Sequence, residues 1–277
     1  MFLSDLHMHT WLSIDGSESV GALCEAALRQ GLGAIALTDH WDGFPPGVRD
    51  AGFAPHFMDS RDFWALHGEK LQLEIEEARE HYAGRLRILY GVELGQPQLD
   101  PAQTRTFLDA HKFDFVLASE HLNGDSKDYY TLDYTQVDID ALMRECFELE
   151  LAVVRSGAAD AIAHIDQPVR LMRGMAFDIG LTAYREQIAE LLREMAARGV
   201  ALEINTHGLR NWYRRVSPPE WVLPLFRDLG GELVTTGSDA HRASDVGAGI
   251  REAKALAEAC GLRVVSYFSQ HEPVILD

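Results

Sequence analysis

Positive charge is scarce in this sequence. Its 25 lysines and arginines face 43 aspartates and glutamates, a formal net charge of −18. Such a balance disfavours non-specific binding to nucleic acid or to an anionic membrane, because both reward a basic patch. A small anionic substrate stays open, since bound divalent ions can reverse the sign of the field inside one site. Cysteine is scarce too. Cys24, Cys146 and Cys260 are far apart, odd in number and set in apolar helical stretches, which excludes a disulfide framework and a CxxC metal site and leaves core thiols. No apolar run approaches the ~20 residues of a membrane span. The opening Phe2-Leu3-Ser4-Asp5 lacks the basic start and apolar stretch of an export signal, so a cytoplasmic location is expected.

What is present is an alternation. The chain has 277 residues, 47% of them hydrophobic, enough for a sizeable core. Short β-rich runs alternate with amphipathic stretches throughout, the order of a parallel α/β fold. Strands are expected at Phe2 to His7, Ala34 to Thr38, Leu86 to Glu93, Phe113 to Ser119, Ala161 to His164, Val200 to Asn205 and Glu232 to Ser238, with a short one at Leu262 to Phe268. Helices are expected near Val20 to Gln30, Arg61 to Tyr82, Pro101 to Ala110, Asp138 to Val154, Thr182 to Ala197, Pro218 to Leu229 and Asp245 to Cys260. Gly31, Gly84, Gly199, Gly230 and Gly261 follow periodic segments where a left-handed residue ends a helix. Seven strand–helix units suit a barrel, and nothing resembles a linker, so residues 1–277 read as one domain. The irregular stretch Trp41 to Ser60 reads equally as a lid or as a packed loop.

Chemistry-bearing residues gather at strand ends. The first strand ends Asp5-Leu6-His7-Met8-His9, where alternation puts His7 and His9 on one side. Later ends read Thr38-Asp39-His40, Gly91-Val92-Glu93, Ser119-Glu120-His121, Ala163-His164-Ile165-Asp166 and Ser238-Asp239-Ala240-His241. Barrel active sites form at that face from several strand ends, and imidazole with carboxylate suits Zn, Mn or Fe. A single histidine there means little; the joint pattern points to a metal centre. His56, His67, His81, His111 and His271 lie elsewhere and read as surface or packing residues, as do Trp64, Trp212 and Trp221. His207, in Asn205-Thr206-His207-Gly208-Leu209-Arg210, can approach the site without being a ligand.

The segments DLHMHT, TDH, GVE, S-x-H, AHID, NTHGLR and GSDAH together resemble the PHP phosphoesterases, named for polymerase and histidinol phosphatase, and within them the histidinol-phosphate phosphatases. The likeness spans nearly the whole chain. It implies a distorted (β/α)7 TIM-like barrel holding two to three divalent metal ions, Zn, Mn or Fe. By motif, the first metal takes His7, His9, Glu93 and Asp239; the second Glu93, His121 and His164; the third Asp15, His40 and His241. Two departures stand out. Asp15 occupies a place where the family usually has histidine, and Ser119-Glu120-His121-Leu122 replaces a usual S-V-H-Y, which bears on the exact substrate.

The reaction expected from this resemblance is hydrolysis of a small phosphomonoester, L-histidinol phosphate foremost. Glu93 between two metals is expected to leave an activated water as nucleophile. Arg210 is the first choice for gripping phosphate and Arg170 and Arg173 the second, because guanidinium suits phosphate oxygens. Asp239, His241 and His207 are candidates for the acid that serves the leaving group, and sequence does not choose among them. Three other readings compete. An amidohydrolase-like C–N hydrolase usually needs a carbamylated lysine, and no strand end offers lysine. A phosphodiesterase or nucleotide phosphatase of the same family is disfavoured for long nucleic acid by the negative charge. A noncatalytic metal-binding module predicts fewer than two bound metals.

Overall fold

Strand and helix alternate in the structure, a computed structural model that describes residues 1–48, 59–175, 177–178 and 180–276. Strand β1 (Ser4–Asp5) leads to helix α1 (Val20–Arg29), β2 (Ala34–Leu37) and β3 (His40–Asp42). Next come α2 (Ser60–His81), β4 (Arg87–Gly95), α3 (Pro101–Ala110), β5 (Phe115–Ser119), α4 (Ile139–Ser156) and β6 (Ala161–Ile162). The chain continues through α5 (Arg185–Arg198), β7 (Ala201–Asn205), α6 (Val222–Asp228), β8 (Leu233–Gly237), α7 (Ile250–Ala259) and β9 (Arg263–Val264). It ends in a hairpin of β10 (Tyr267–Ser269) and β11 (Glu272–Val274).

The main sheet is parallel in the order β1-β2-β4-β5-β6-β7-β8-β9, with β3 also on β4. Strands β2 and β3 are one line along β4: Leu37 pairs with Tyr90 and His40 with Glu93, the same register on both sides of a break at Thr38-Asp39. The break turns the Asp39 carboxylate onto Thr10 and Ser13. The strand expected to stop at Thr38 thus continues to Asp42 and lays His40 beside Glu93.

The sheet curls until its ends meet. Leu6 N donates to Thr236 O at 2.8 Å, Asp239 N to His7 O at 2.8 Å and His9 N to Ala240 O at 2.9 Å, so β1 and its extension run along β8. Lower down, β9 lies on β8 instead, and Ser4 Oγ reaches Val265 O at 3.2 Å. This wedge between first and last strands is the distortion in the (β/α)7 TIM-like barrel. The expected strand Leu262 to Phe268 is therefore two pieces. Val265 enters the floor of the barrel, and the chain turns so that Phe268 can stack on Phe115, ring centroids 4.6 Å apart.

Period-two alternation sorts the rest. Leu6, Ala34, Ala36, Leu89, Phe115 and Leu117 belong to the barrel interior, while Ile35, Leu37, Val116 and Ala118 face the helices. Small alanines keep the barrel narrow and its C-terminal end close-set. Asp138 caps α4 by accepting from Ala141 N at 3.1 Å, and Gly157 ends that helix at φ 72°. Helix α7 starts five residues later than the sequence suggests, because the Asp5 carboxylate holds Gly247 N at 2.8 Å and Gly249 is left-handed. Cys24 and Cys146 are buried and Cys260 half-buried, all free. No helix among the described residues is long and apolar enough to cross a membrane. Of the Trp41 to Ser60 stretch, residues 49–58 with His56 lie outside the described residues.

Phe268 plugs the floor, far from the strand ends that carry the ligands. Phe268→Ala is expected to lower unfolding free energy by about 3–5 kcal/mol in urea denaturation while metal content stays intact; unchanged stability would show that the hairpin does not seal the barrel.

Candidate metal centre and active site

Nine residues from six strand ends converge at the C-terminal face. Their donor atoms form four overlapping groupings: His9, Asp15, His40 and His241; His7, His164 and Asp239; His7, His9 and Glu93; and His40, Glu93 and His121. The two oxygens of Glu93 divide the centre. Oε2 lies 3.1 Å from His7 Nε2, 3.4 Å from His9 Nε2 and 3.1 Å from His40 Nδ1. Oε1 lies 3.1 Å from His121 Nε2 and 3.0 Å from His164 Nε2. Asp15 stands on the third side, 3.8 Å from His40 Nε2 and 3.0 Å from His241 Nε2. Every sequence-proposed metal ligand is in this one cluster.

Ring orientation tests whether the cluster suits a cation. Ser13 Oγ donates to Asp39 at 2.7 Å and has one hydrogen, so at 3.0 Å it must accept from His9 Nδ1. The His9 Nε2 lone pair then points at His7 Nε2, 3.2 Å away. His7 Nδ1 is held by Glu203 Oε1 at 2.7 Å and His121 Nδ1 by Asp42 Oδ1 at 3.0 Å, which aims both Nε2 atoms inward as well. Asp239 Oδ1 adds contacts of 3.8 Å to His7 and 3.5 Å to His9. Four tetrahedral ligands at ~2.1 Å from a Zn-sized ion lie about 3.4 Å apart, and the separations among His7, His9, Glu93 and Asp239 bracket that value. The residues present fit a bound divalent ion.

Electrostatics agree. Burial opposes charge on Glu93, yet His7, His40 and His121 outweigh it and hold its pKa well below the ordinary carboxylate value. Burial likewise opposes charge on His7, but Glu203, Glu93 and Asp239 prevail and raise its pKa well above the usual. His9, buried beside His241 and His40, falls to about 3. Asp239 is kept ionised against its burial by His7 and Arg170. Metal binding must expel the proton that these acids draw onto His7.

Two glycines allow the close fit. A Cβ at Gly95 would collide with Asp42, and one at Gly237 with Glu203 and His7. Asp239 takes a left-handed backbone, φ 55°, a costly conformation typical of functional positions.

The cavity above the centre is lined by ligands and by Asp42, Phe44, Leu122, Asp128, Tyr130 and Arg170, with Ile14, Gln167 and His207. Among the arginines proposed from sequence, Arg170 is buried and donates to Asp239 Oδ2 at 2.6 Å and to Gln167. Arg210 is spent beneath the site, donating to Ser238 O at 2.8 Å and lying 3.8 Å from Asp245; it is not in the cavity wall. Arg173 is exposed and outside the wall as well. Strand direction decides Glu120: Ser119 and His121 face inward, so Glu120 turns away to Gln98 and to Leu122 N, and Leu122 is the changed residue that meets the cavity. His207 lines the cavity, 3.9 Å from Asp239, and its burial lowers its pKa to about 4. His111 sits in an aromatic cluster with Trp64, Phe107 and Phe113. His271 pairs with Asp160 at 2.9 Å.

Sequence reasoning passed over Ser13, Asp42 and Glu203, which orient the histidines. Glu203 carried a signal: an acid within the inward-facing set Ala201, Glu203 and Asn205 of a central strand.

The PHP domain family model matches residues 5–207. The chain belongs to the PHP domain family. Curated relatives include a histidinol-phosphatase of Lactococcus lactis, 28% identical over 96% of this chain and 94% of that protein. A probable histidinol-phosphatase of Clostridium acetobutylicum is 27% identical over 95% and 96%. The crystal structure of the Lactococcus lactis histidinol phosphate phosphatase, complexed with zinc, L-histidinol and phosphate, superposes with a TM-score of 0.82 at 26% identity, covering 98% of both chains. This PHP chain thus shares its fold with them from end to end.

In this PHP protein Glu203→Gln keeps the shape beside His7 and removes the charge. Metal titration is expected to show affinity lower by roughly 10–100-fold with unchanged circular dichroism; unaltered affinity would show that Glu203 does not tune the centre.

Proposed function

We propose that this PHP protein is a cytoplasmic metal-dependent phosphomonoesterase that hydrolyses L-histidinol phosphate to L-histidinol and phosphate. The observation that carries the reading is one cluster of nine imidazole and carboxylate side chains, seven of which line a single cavity together with the buried guanidinium of Arg170. Such donors hold divalent cations, and such a cation of the chain grips phosphate. The end-to-end likeness to an enzyme seen with L-histidinol and phosphate supports the choice of substrate.

The first ion would be held by His7, His9, Glu93 and Asp239, the second by Glu93, His121 and His164, and the third by Asp15, His40 and His241. Divalent ions bound there, Zn, Mn or Fe, supply Lewis acidity to the phosphoryl oxygens and lower the pKa of water toward ~7. The chain's own residues supply position. Glu93 turns one oxygen to His7, His9 and His40 and the other to His121 and His164, so it would serve two neighbouring sites at once. Arg170, braced by Asp239 and Gln167, presents a fixed charge to a phosphoryl oxygen without having to reorganise. Arg210 holds the carbonyl of Ser238 and so steadies the segment bearing Asp239 and His241. Burial lowers the His207 pKa to about 4, which disfavours it as the acid that serves the leaving group. No lysine lines the cavity among the described residues, so amidohydrolase-like chemistry lacks its usual group.

Metal-analysed protein is expected to release phosphate from L-histidinol phosphate in strong preference to a panel of other phosphomonoesters and a phosphodiester. Arg170→Ala should lower kcat/KM by about 10²–10³-fold, with Arg173→Ala near the parent. Equal turnover across the panel would remove L-histidinol phosphate as the substrate, and fewer than two bound metals with no turnover would favour a noncatalytic module.

A further inference from the structure

A 3-10 turn, His207–Arg210, follows β7 directly. In such a turn side chain i lies over side chain i+3, which brings its two ends together: Arg210 Nη2 is 3.5 Å from His207 Nδ1. The turn is fixed from several sides. Thr206 N donates to Gly237 O at 2.8 Å, Thr206 Oγ1 to Ala248 O at 2.6 Å and His207 N to Asn205 Oδ1 at 3.0 Å. Inside it, Gly208 permits close packing, because a Cβ there would collide with Arg215 O and the Tyr213 ring.

The contact with Arg210 sets the tautomer of His207. A guanidinium has hydrogens to give and no lone pair to offer, so the Nδ1 that faces it accepts. The other neighbour of Nδ1, Asp239 Oδ2, is 3.9 Å away, beyond hydrogen-bond reach. That oxygen already accepts from Arg170 Nη1 at 2.6 Å and from Asn205 Nδ2 at 3.3 Å. The ring hydrogen therefore stands on Nε2. Protonation of the ring leaves it there, since an imidazolium carries a hydrogen on each nitrogen. Among the described residues the side chain of His207 makes its polar contacts through Nδ1. It is nevertheless 33% exposed and forms part of the cavity wall, so Nε2–H is left to the cavity.

Asp239 ties this donor to the phosphate site. Its Oδ1 lies 3.8 Å from His7 Nε2 and 3.5 Å from His9 Nε2, on the side of the first proposed metal. Its Oδ2 holds Arg170 and is the atom nearest His207 Nδ1. A phosphoryl group held by Arg170 against the metal side of Asp239 thus comes beside the His207 ring. We propose that His207 Nε2–H donates a hydrogen bond to a phosphoryl oxygen of the bound phosphomonoester, in a tautomer fixed by Arg210. The proposal rests on the phosphatase reading above and adds to it a donor that is oriented before substrate arrives.

The test compares metal-loaded parent, His207→Phe and His207→Gln. Phenylalanine keeps the bulk of the ring without a donor, and the glutamine amide reaches about as far from the backbone as Nε2. His207→Phe is expected to lower kcat/KM for L-histidinol phosphate by about 10- to 100-fold and to weaken binding of inorganic phosphate in the same range, with metal content unchanged. His207→Gln should recover most of both losses. Nitrogen NMR of isotope-labelled histidine in the zinc-loaded parent, with the His207 signals identified by their loss in His207→Gln, is expected to show hydrogen on Nε2. Hydrogen on Nδ1 alone, a glutamine variant as impaired as phenylalanine, or equal phosphate affinity in all three proteins overturns the proposal. Failure of the histidinol phosphate reading shows separately, as a parent that binds inorganic phosphate but leaves L-histidinol phosphate intact; His207 is then judged on phosphate affinity and tautomer. A parent that binds no phosphate overturns both.

Discussion

Two imidazole nitrogens cannot rest 3.2 Å apart with lone pairs opposed unless positive charge lies between or beside them. His7 and His9 are in that position, and their other ring nitrogens are already tied to Glu203 and Ser13. The centre is built to need a cation. Without metal, the acids draw protons onto His7 and His121 against the effect of burial; with metal, the same charge is supplied by ions. Among the described residues five carboxylates touch the six histidines of the cluster, Asp15, Asp42, Glu93, Glu203 and Asp239. Among the described residues one guanidinium, Arg170, answers them directly, at Asp239.

The barrel serves this constraint by supplying close approach. Parallel strands place alternate residues at a common depth, so ligands distant in sequence arrive at the same level. Narrow alanine-lined walls bring the ends together, and glycines at positions 95 and 237 remove the side chains that would hold Asp42 and Glu203 away. Each orienting acid sits one layer beyond the ligand it holds. Loosening any one of these contacts would leave a ligand present but misdirected.

Much of this was legible in the sequence, for identifiable reasons. The clustering of imidazoles and carboxylates on one face follows from the motifs at strand ends, and alternation at His7 and His9 follows from strand geometry alone. Helices were legible where a left-handed glycine such as Gly199 closes them. The continuation of β2 into β3 was not, since the Thr38-Asp39 break looks like a strand end until the partner register on β4 is known. The arginines were unreadable for a related reason: Arg170, Arg173 and Arg210 all follow strand ends, and only packing decides that one faces the cavity, one faces solvent and one braces a carbonyl beneath. Glu120 looked like a cavity residue from its neighbours, whereas strand parity turns it outward.

The joint between the first and last parts of the barrel also has a meaning in time. Thr236 Oγ1 bonds to Ser4 O across 232 residues of sequence, and His7 and His9 share a grouping or contact with Asp239 and His241 on the far side of that joint. During synthesis the earliest histidines emerge long before their partners, and pairing of such high sequence separation comes late in folding. A nascent chain can therefore offer a passing metal ion only fragments of the ligand set, with Glu93 and the first histidines in hand but Asp239 missing. The finished centre belongs to the completed barrel, and metal capture reports closure of the fold.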